Sequence, residues 1–446
     1  IMSIWSILIV IVMLGLLVTI HELGHFWTAC LLKIKVYEVS IFVGPRLFHW
    51  KRKGVEYSIR AVPLGAYVRF TDIDEEGKPV ESDAPELLIN NPRWKRLVVA
   101  IAGPLMNAVL GVLIFGVLYC TVGFTSLDAG YAPEGSQLYS TSYTPGDTIV
   151  AVNGNHVFTY LDYYYEAETA TPESRDMTVT FRSRASGEHY DVVLKPELKT
   201  RPMLGITTYM DTDNKYSGWE IVSVDENQNN GKPVLKAGDY LVAVDGKNVS
   251  DDDFDEFLDT LSDGDTMTLK YIRNGETFED ECIKTMITYA NERGVSLIGY
   301  RVDSLPSFFR AFSYAFKMPA TIVNVSVKSI GDVFQGDEEV YNMVSGPIGV
   351  TTVVSDVVDD VDDSVFQKFY SIVVMSGFIS IGLMFTNMLP IPGLDGIQSL
   401  LIIVEMIIGR RLSKKTESVI NGIGFFMLIA LVLFAFASDI IRYIVE

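Results

Sequence analysis

His21-Glu22-Leu23-Gly24-His25 closes a run from Ile4 to Ile20 that carries no charged residue. On an α-helix, positions i and i+4 share one face, about 40° apart around the axis. His21 and His25 can therefore grip one metal ion together. Glu22 sits beside them and can take a proton from a water that the metal activates. In a soluble helix the same five residues read as easily as a solvated polar patch. Their setting argues otherwise. An ionisable group inside a membrane span costs roughly 3 kcal/mol or more and calls for a functional reason.

The rest of the composition fits a membrane protein. The 446 residues are 48% hydrophobic, with a mean hydropathy of +0.24, yet the net charge is −20. Apolar and acidic material must therefore be segregated along the chain. No basic footprint of a nucleic-acid binder is present. Cys30, Cys120 and Cys282 form no CxxC pair, so neither a disulfide framework nor a cysteine zinc site is expected. The first run lacks a basic leader and a small-x-small cleavage site, and reads as a retained transmembrane helix.

Four stretches reach membrane length: Ile4–Leu32, Leu97–Val122, Phe369–Leu394 and Val419–Ala437. Lys33, Lys35, Arg46, Lys51, Arg52 and Lys53 lie between the first two, and Arg410, Arg411, Lys414 and Lys415 precede the fourth. Asp356, Asp359, Asp360, Asp362 and Asp363 precede the third. The positive-inside rule then places the first loop in the cytoplasm, and the termini and residues 123–365 outside.

Between the first two spans, Val55, Tyr57 and Ile59 alternate with Glu56, Ser58 and Arg60, and Lys53-Gly54 supplies a turn. Residues 34–70 thus read as strands, either a plain hairpin or a sheet that holds an extended peptide by strand addition. Residues 72–92 read as a charged loop.

The outer region repeats itself. Pro145-Gly146-Asp147-Thr148-Ile149-Val150-Ala151-Val152-Asn153-Gly154 returns as Ala237-Gly238-Asp239-Tyr240-Leu241-Val242-Ala243-Val244-Asp245-Gly246. Each copy is a Gly-Asp turn, an apolar strand and an Asn-Gly or Asp-Gly turn. The pattern resembles the PDZ domain, in two copies at 125–200 and 203–290. The first departs from it over Glu134–Thr144. The stretch Asp251–Asp265 reads as a solvated helix face, since it lacks the ligand spacing of an EF-hand loop. Phe308, Phe312, Phe316, Val323, Val327, Ile330 and Phe334 recur at helical spacing. They mark an amphipathic element on the outer membrane surface or packed on the second repeat, which Pro319 should kink or split.

A catalytic zinc site normally has three protein ligands. Asp395, in Asn387-Met388-Leu389-Pro390-Ile391-Pro392-Gly393-Leu394-Asp395-Gly396, is the best third candidate, or else simply an interfacial helix end. Together, HELGH, NMLPIPGLDG, Ala61–Val68, Ala102–Asn107 and Ser345–Gly349 resemble signatures of the site-2 protease family. The overall layout is similar to its bacterial regulator-of-sigma branch. The resemblance implies zinc on His21, His25 and Asp395, Glu22 as base, and Asn387 near the substrate backbone.

The expectation is therefore a polytopic α-helical membrane protein with four transmembrane helices, a small membrane-associated β-sheet and two extracytoplasmic PDZ-like domains. Its segments would be 1–122, the two repeats, a linker at 305–365 and a last helical pair at 366–446. It would sit in a bacterial cytoplasmic membrane, with the active site towards the cytoplasm. The implied activity is zinc-dependent hydrolysis of peptide bonds in single-span membrane proteins, such as anti-sigma factors or signal-peptide remnants. A catalytically inactive PDZ scaffold and a metal transporter are the competing readings, with a secreted-type metalloprotease excluded if the HExxH helix is membrane-embedded.

Overall fold

The computed structural model describes residues 4–71, 83–132, 137–141, 143–167, 176–195, 198–203, 206–210, 218–224, 229, 232–250, 257, 266–283, 285–290, 295–335, 347–359 and 365–445. Most of the Asp251–Asp265 stretch and residues 72–82 of the expected 72–92 loop lie outside them, as do Glu134–Gly135, Ser345 and Gly346. The helices are α1 (Ile4–Leu31), α2 (Arg93–Thr121), α3 (Tyr160–Glu166), α4 (Leu305–Gln335), α5 (Pro347–Asp359), α6 (Val365–Met388), α7 (Asp395–Ile408) and α8 (Lys414–Val445). Among the described residues, α1, α2 and α6 are long and apolar enough to cross a membrane. The fourth expected span falls within α8.

The chain divides into two compact units. The first holds residues 1–127, 157–165 and 298–446. In α1 the buried residues Ser6, Val10, Met13, Leu17, His21 and Gly24 recur every three or four positions. Val12 and Leu16, on other faces, stay more than half exposed, as lipid-facing side chains do. Without a hydrophobic force between helices in lipid, close packing needs small residues. Gly24 supplies that for α1 on α2: a Cβ there would lie 2.4 Å from the Ala102 carbonyl oxygen. Gly111 and Gly377 do the same for α2 on α6, against Ile381 and Phe115 respectively.

The amphipathic element is one helix, α4, which Pro319 does not split. Its Ala311, Tyr314, Ala315 and Met318 are buried in a cluster with Phe115, Leu118 and Tyr119 of α2. Helix α3 docks on it through Asp162, which accepts from Thr321 Oγ1 at 2.7 Å and Asn324 Nδ2 at 2.9 Å.

Between α1 and α2, β1 (Glu38–Arg52) and β2 (Val55–Arg69) form the hairpin expected there. Its turn holds Lys53 at φ 50° and Gly54 at φ 80°. The hairpin folds back on itself, so that Glu38–Ile41 is flanked by Glu56–Ile59 on one side and Ala66–Arg69 on the other.

The second unit holds residues 128–156 and 166–297. Its strands are β4 (Thr148–Val152), β5 (Asn155–His156), β6 (Met177–Arg182), β7 (His189–Leu194), β8 (Leu198–Met203), β9 (Ile206–Met210), β10 (Trp219–Val224), β11 (Tyr240–Val244), β12 (Lys247–Asn248), β13 (Thr266–Arg273), β14 (Glu276–Ile283) and β15 (Thr285–Ala290), while β3 (Phe124–Ala129) and β16 (Leu297–Tyr300) each have residues in both units. One sheet runs β16-β3-β4-β6-β7 and another β14-β13-β11-β10-β9.

The sequence repeat is a structural repeat. Asn153 and Asp245 both have φ 49°, followed by glycines at φ 80° and 79°. Asn153 Oδ1 accepts from the Thr178 amide at 2.9 Å, and Asp245 Oδ1 from the Thr268 amide at 2.7 Å. Both Gly-Asp aspartates are buried, but their partners differ: Tyr190 donates to Asp147, while Arg273 holds Asp239 with two N–H groups. The topology is nested rather than tandem. Strand β16 follows the whole second sheet in sequence yet pairs into the first, and the β8–β15 ribbon joins the two, with Met203 opposite Thr285.

Candidate metal centre

Helix α1 places His21 and His25 on its buried face, 7% and 8% exposed. The third group comes from 370 residues later. Pro390 and Pro392 cannot continue α6, and Gly393 takes φ 100°, so the chain turns sharply and restarts as a helix at Asp395. Asp395 therefore opens α7 and does not end the preceding span, which stops at Met388. Gly424 of α8 approaches this turn so closely that a Cβ there would lie 2.3 Å from Pro392 Cβ.

Asp395 Oδ2 lies 2.9 Å from His21 Nε2 and 3.2 Å from His25 Nε2, and the two imidazole nitrogens are 3.2 Å apart. Four-coordinate zinc, with bonds of about 2.0–2.1 Å, holds its ligand atoms about 3.3 Å apart. The observed triangle is close to that spacing, and two imidazoles with a carboxylate are a common zinc donor set. These residues fit the ion. Glu22 is at hand: its carboxylate lies within 4.8 Å of the imidazole nitrogens, beside the Val68 backbone of β2.

Helix α2 completes the centre with groups that the HExxH pattern does not reveal. His25 Nδ1 donates to the Val99 carbonyl at 2.7 Å. Asn107 Nδ2 lies 3.3 Å from His21 Nδ1. Gly103 forms the floor: a Cβ there would meet His25 Nε2 at 2.3 Å and His21 Nε2 at 2.6 Å. The Ala102–Asn107 segment carried the only sequence signal for these groups. Asn387, at the end of α6, is partly buried and makes no contact with the triangle among the distances above.

Comparison with known proteins covers nearly the whole chain. The family model for peptidase family M50 matches residues 9–431. The regulator of sigma E protease of Haemophilus influenzae is 24% identical over 98% of this chain and 99% of its own. Proteins named as zinc metalloproteases in Neisseria meningitidis and Clostridium acetobutylicum are 25% and 24% identical, over 96% and 99% of this chain and 97% and 98% of theirs. The match runs over almost the whole sequence, and the chain belongs to peptidase family M50, the site-2 protease family of zinc metalloproteases.

Proposed function

We propose that this protease cuts single-span membrane proteins within or near their transmembrane segment, with His21, His25 and Asp395 holding zinc and Glu22 as general base. The observation that carries the reading is the triangle of donor atoms, none more than 3.2 Å apart, beside Glu22 on an apolar helix. Zinc, when bound, supplies Lewis acidity towards the scissile carbonyl and acidifies water. Glu22 takes a proton from the attacking water and returns it to the leaving amine. The Val99 carbonyl fixes the His25 ring, leaving Nε2 as the ligand atom.

A helical substrate hides its carbonyls, so the segment to be cut must be extended. The hairpin at Glu38–Arg69, which reaches Glu22 through Val68, is positioned to pair with it. Asn387 would hydrogen-bond its backbone. Anti-sigma factors and signal-peptide remnants are the expected substrates. The bacterial relatives support a cytoplasmic membrane location, and the loop charges support an orientation with the metal centre towards the cytoplasm and the repeats outside. Labelling of a cysteine at Lys53 by an impermeant reagent in intact cells would overturn that orientation. The repeats, as PDZ-like domains, would obstruct substrates that still carry a bulky outer domain.

The deciding experiment is cleavage of tagged single-span substrates by Glu22→Gln and Asp395→Ala proteins. Glu22→Gln should keep zinc and lose turnover by about 100-fold or more; Asp395→Ala should lose both. Near-normal turnover of Glu22→Gln would refute the assignment, and a zinc-loaded parent that cuts nothing would favour the inactive scaffold.

A further inference from the structure

Away from the metal centre, the start of α2 and the end of α7 border an open cavity of about 560 Å³, lined by Asn90, Asn91, Arg93, Trp94, Met406 and Arg411, with Pro92. Among the described residues no carboxylate lines it. Glu405, the acidic residue next to Met406, is already committed: it binds Arg96 at 2.7 Å and accepts from the Leu412 amide at 3.0 Å. The two lining arginines each use one N–H on the backbone. Arg93 Nη2 donates to the Gly409 carbonyl at 2.9 Å, and Arg411 Nη2 donates to the Ile89 carbonyl. Arg93 Nε is shielded from solvent and has no partner. Two guanidinium forks thus border one space without an ion pair to either among the described residues, and such forks match phosphate oxygens.

The surroundings specify the kind of phosphate. Arg93 is the first residue of a membrane-length helix, and Pro92 offers its end no side-chain cap, so positive backbone potential adds to the arginines. Beside the cavity, Trp94 is 51%, Met406 46%, Ile407 80% and Ile408 52% exposed. Tryptophan next to apolar surface and cationic side chains is the pattern of a membrane–water boundary. A free inorganic anion would use the arginines and leave that apolar rim unexplained.

We propose that this cavity binds the phosphate of an anionic phospholipid, whose acyl chains run along Trp94, Met406 and Ile407. The site bridges α2, which carries Val99, Gly103 and Asn107, and α7, which begins at Asp395. A bound lipid therefore ties together the two helices that hold the metal centre against α1. Binding itself does not depend on the catalytic reading.

The test is lipid retention by the full chain in neutral detergent, read by native mass spectrometry, with phosphatidylglycerol, phosphatidylcholine and inorganic phosphate added separately. Phosphatidylglycerol should be retained by the parent and by a Lys51→Gln/Arg52→Gln protein, which loses the same charge elsewhere. Arg93→Gln/Arg411→Gln should lower retention by about tenfold or more, as expected for two charge-assisted contacts. Those substitutions also cut two backbone hydrogen bonds, so Met406→Glu, which puts a carboxylate in the cavity and leaves both arginines, serves as the second variant and should lose the lipid too. Undiminished phosphatidylglycerol retention in both variants overturns the site. Equal retention of phosphatidylcholine by the parent overturns the selectivity for an anionic headgroup, and displacement of the lipid by millimolar inorganic phosphate overturns the role of the acyl chains.

Discussion

Asn107 and His21 meet in the protein interior, amide nitrogen to imidazole Nδ1 at 3.3 Å, and the Asn107 side-chain oxygen Oδ1 has no hydrogen-bond partner although the residue is fully buried. A histidine that binds metal through Nε2 must carry its proton on Nδ1 and needs an acceptor there. Turned over, the Asn107 amide offers its oxygen for that purpose; amide orientation is set by the hydrogen-bond network around it.

Asn107→Leu should therefore weaken zinc binding by about 10- to 100-fold. Asn107→Asp, which keeps an acceptor, should retain most of it. Chelator competition on the purified protein measures both. Equal zinc affinity for the parent and the leucine variant would refute the orienting role.

Gly103 gives a test in which stability and metal binding part ways. Alanine is the better helix former by about 1 kcal/mol, so Gly103→Ala should not unfold α2. Its Cβ would nevertheless stand 2.3 Å from His25 Nε2. The expected protein is folded and zinc-poor, by metal analysis alongside a thermal melt. Full zinc content would mean that the floor of the site gives way more easily than this packing implies.

Glu38 anchors the hairpin beside Glu22. It is 1% exposed and faces Arg60 at 2.9 Å, Arg69 at 3.4 Å and Arg46 at 3.5 Å. Burial alone raises its carboxyl pKa. Hydrogen bonds from Arg60, Ser58 and Tyr67, with the Arg46 charge, more than offset this and hold it below the usual carboxylate value. A lowered folded-state value contributes stability above the unfolded pKa, near about 4.3, and loses it as pH falls through the folded one. Glu38→Gln should thus make the hairpin more susceptible to proteolysis at pH 7, by breaking a buried pair worth about 3 kcal/mol or more to leave half-made. The parent should approach that state only below about pH 4. Equal protection of the two proteins at neutral pH would show that the three arginines do not depend on Glu38.

The nested topology permits a clean excision. Because Met203 faces Thr285 across the β8–β15 ribbon, residues 204–284 can be replaced by an Asn-Gly turn without unpairing β16 from β3. If the repeats act by obstruction, this protein should cut full-length substrates that the parent rejects and should cut shortened ones as before. Loss of activity on shortened substrates, with zinc and fold intact, would instead make the second repeat a capture domain.

Local pattern made much of this protein legible. The uncharged run ending in HELGH gave α1 and its two imidazoles, because helical spacing alone decides which side chains share a face. Alternation around Lys53-Gly54 gave the hairpin, and the paired Gly-Asp and Asn-Gly or Asp-Gly turns gave the repeat, because both are short-range steric constraints. The end of α6 was less legible: prolines mark a break, but whether Asp395 closes one helix or opens the next depends on what packs behind the turn, here Gly424 of α8.

Other features required the folded chain. Asp395 is 370 residues from His25, and nothing local says that its oxygen lies 3.2 Å from that ring. Val99, Gly103 and Asn107 lie in an apolar helix whose sequence shows a span and hides a support. The return of β16 to the first sheet, and the cavity between Arg93 and Arg411, arise from pairings across long separations. By itself, then, the sequence determined which residues could carry the chemistry and which local elements hold them. Only the tertiary structure decided which of those groups meet, because contacts between distant segments depend on close packing of whole helices and sheets.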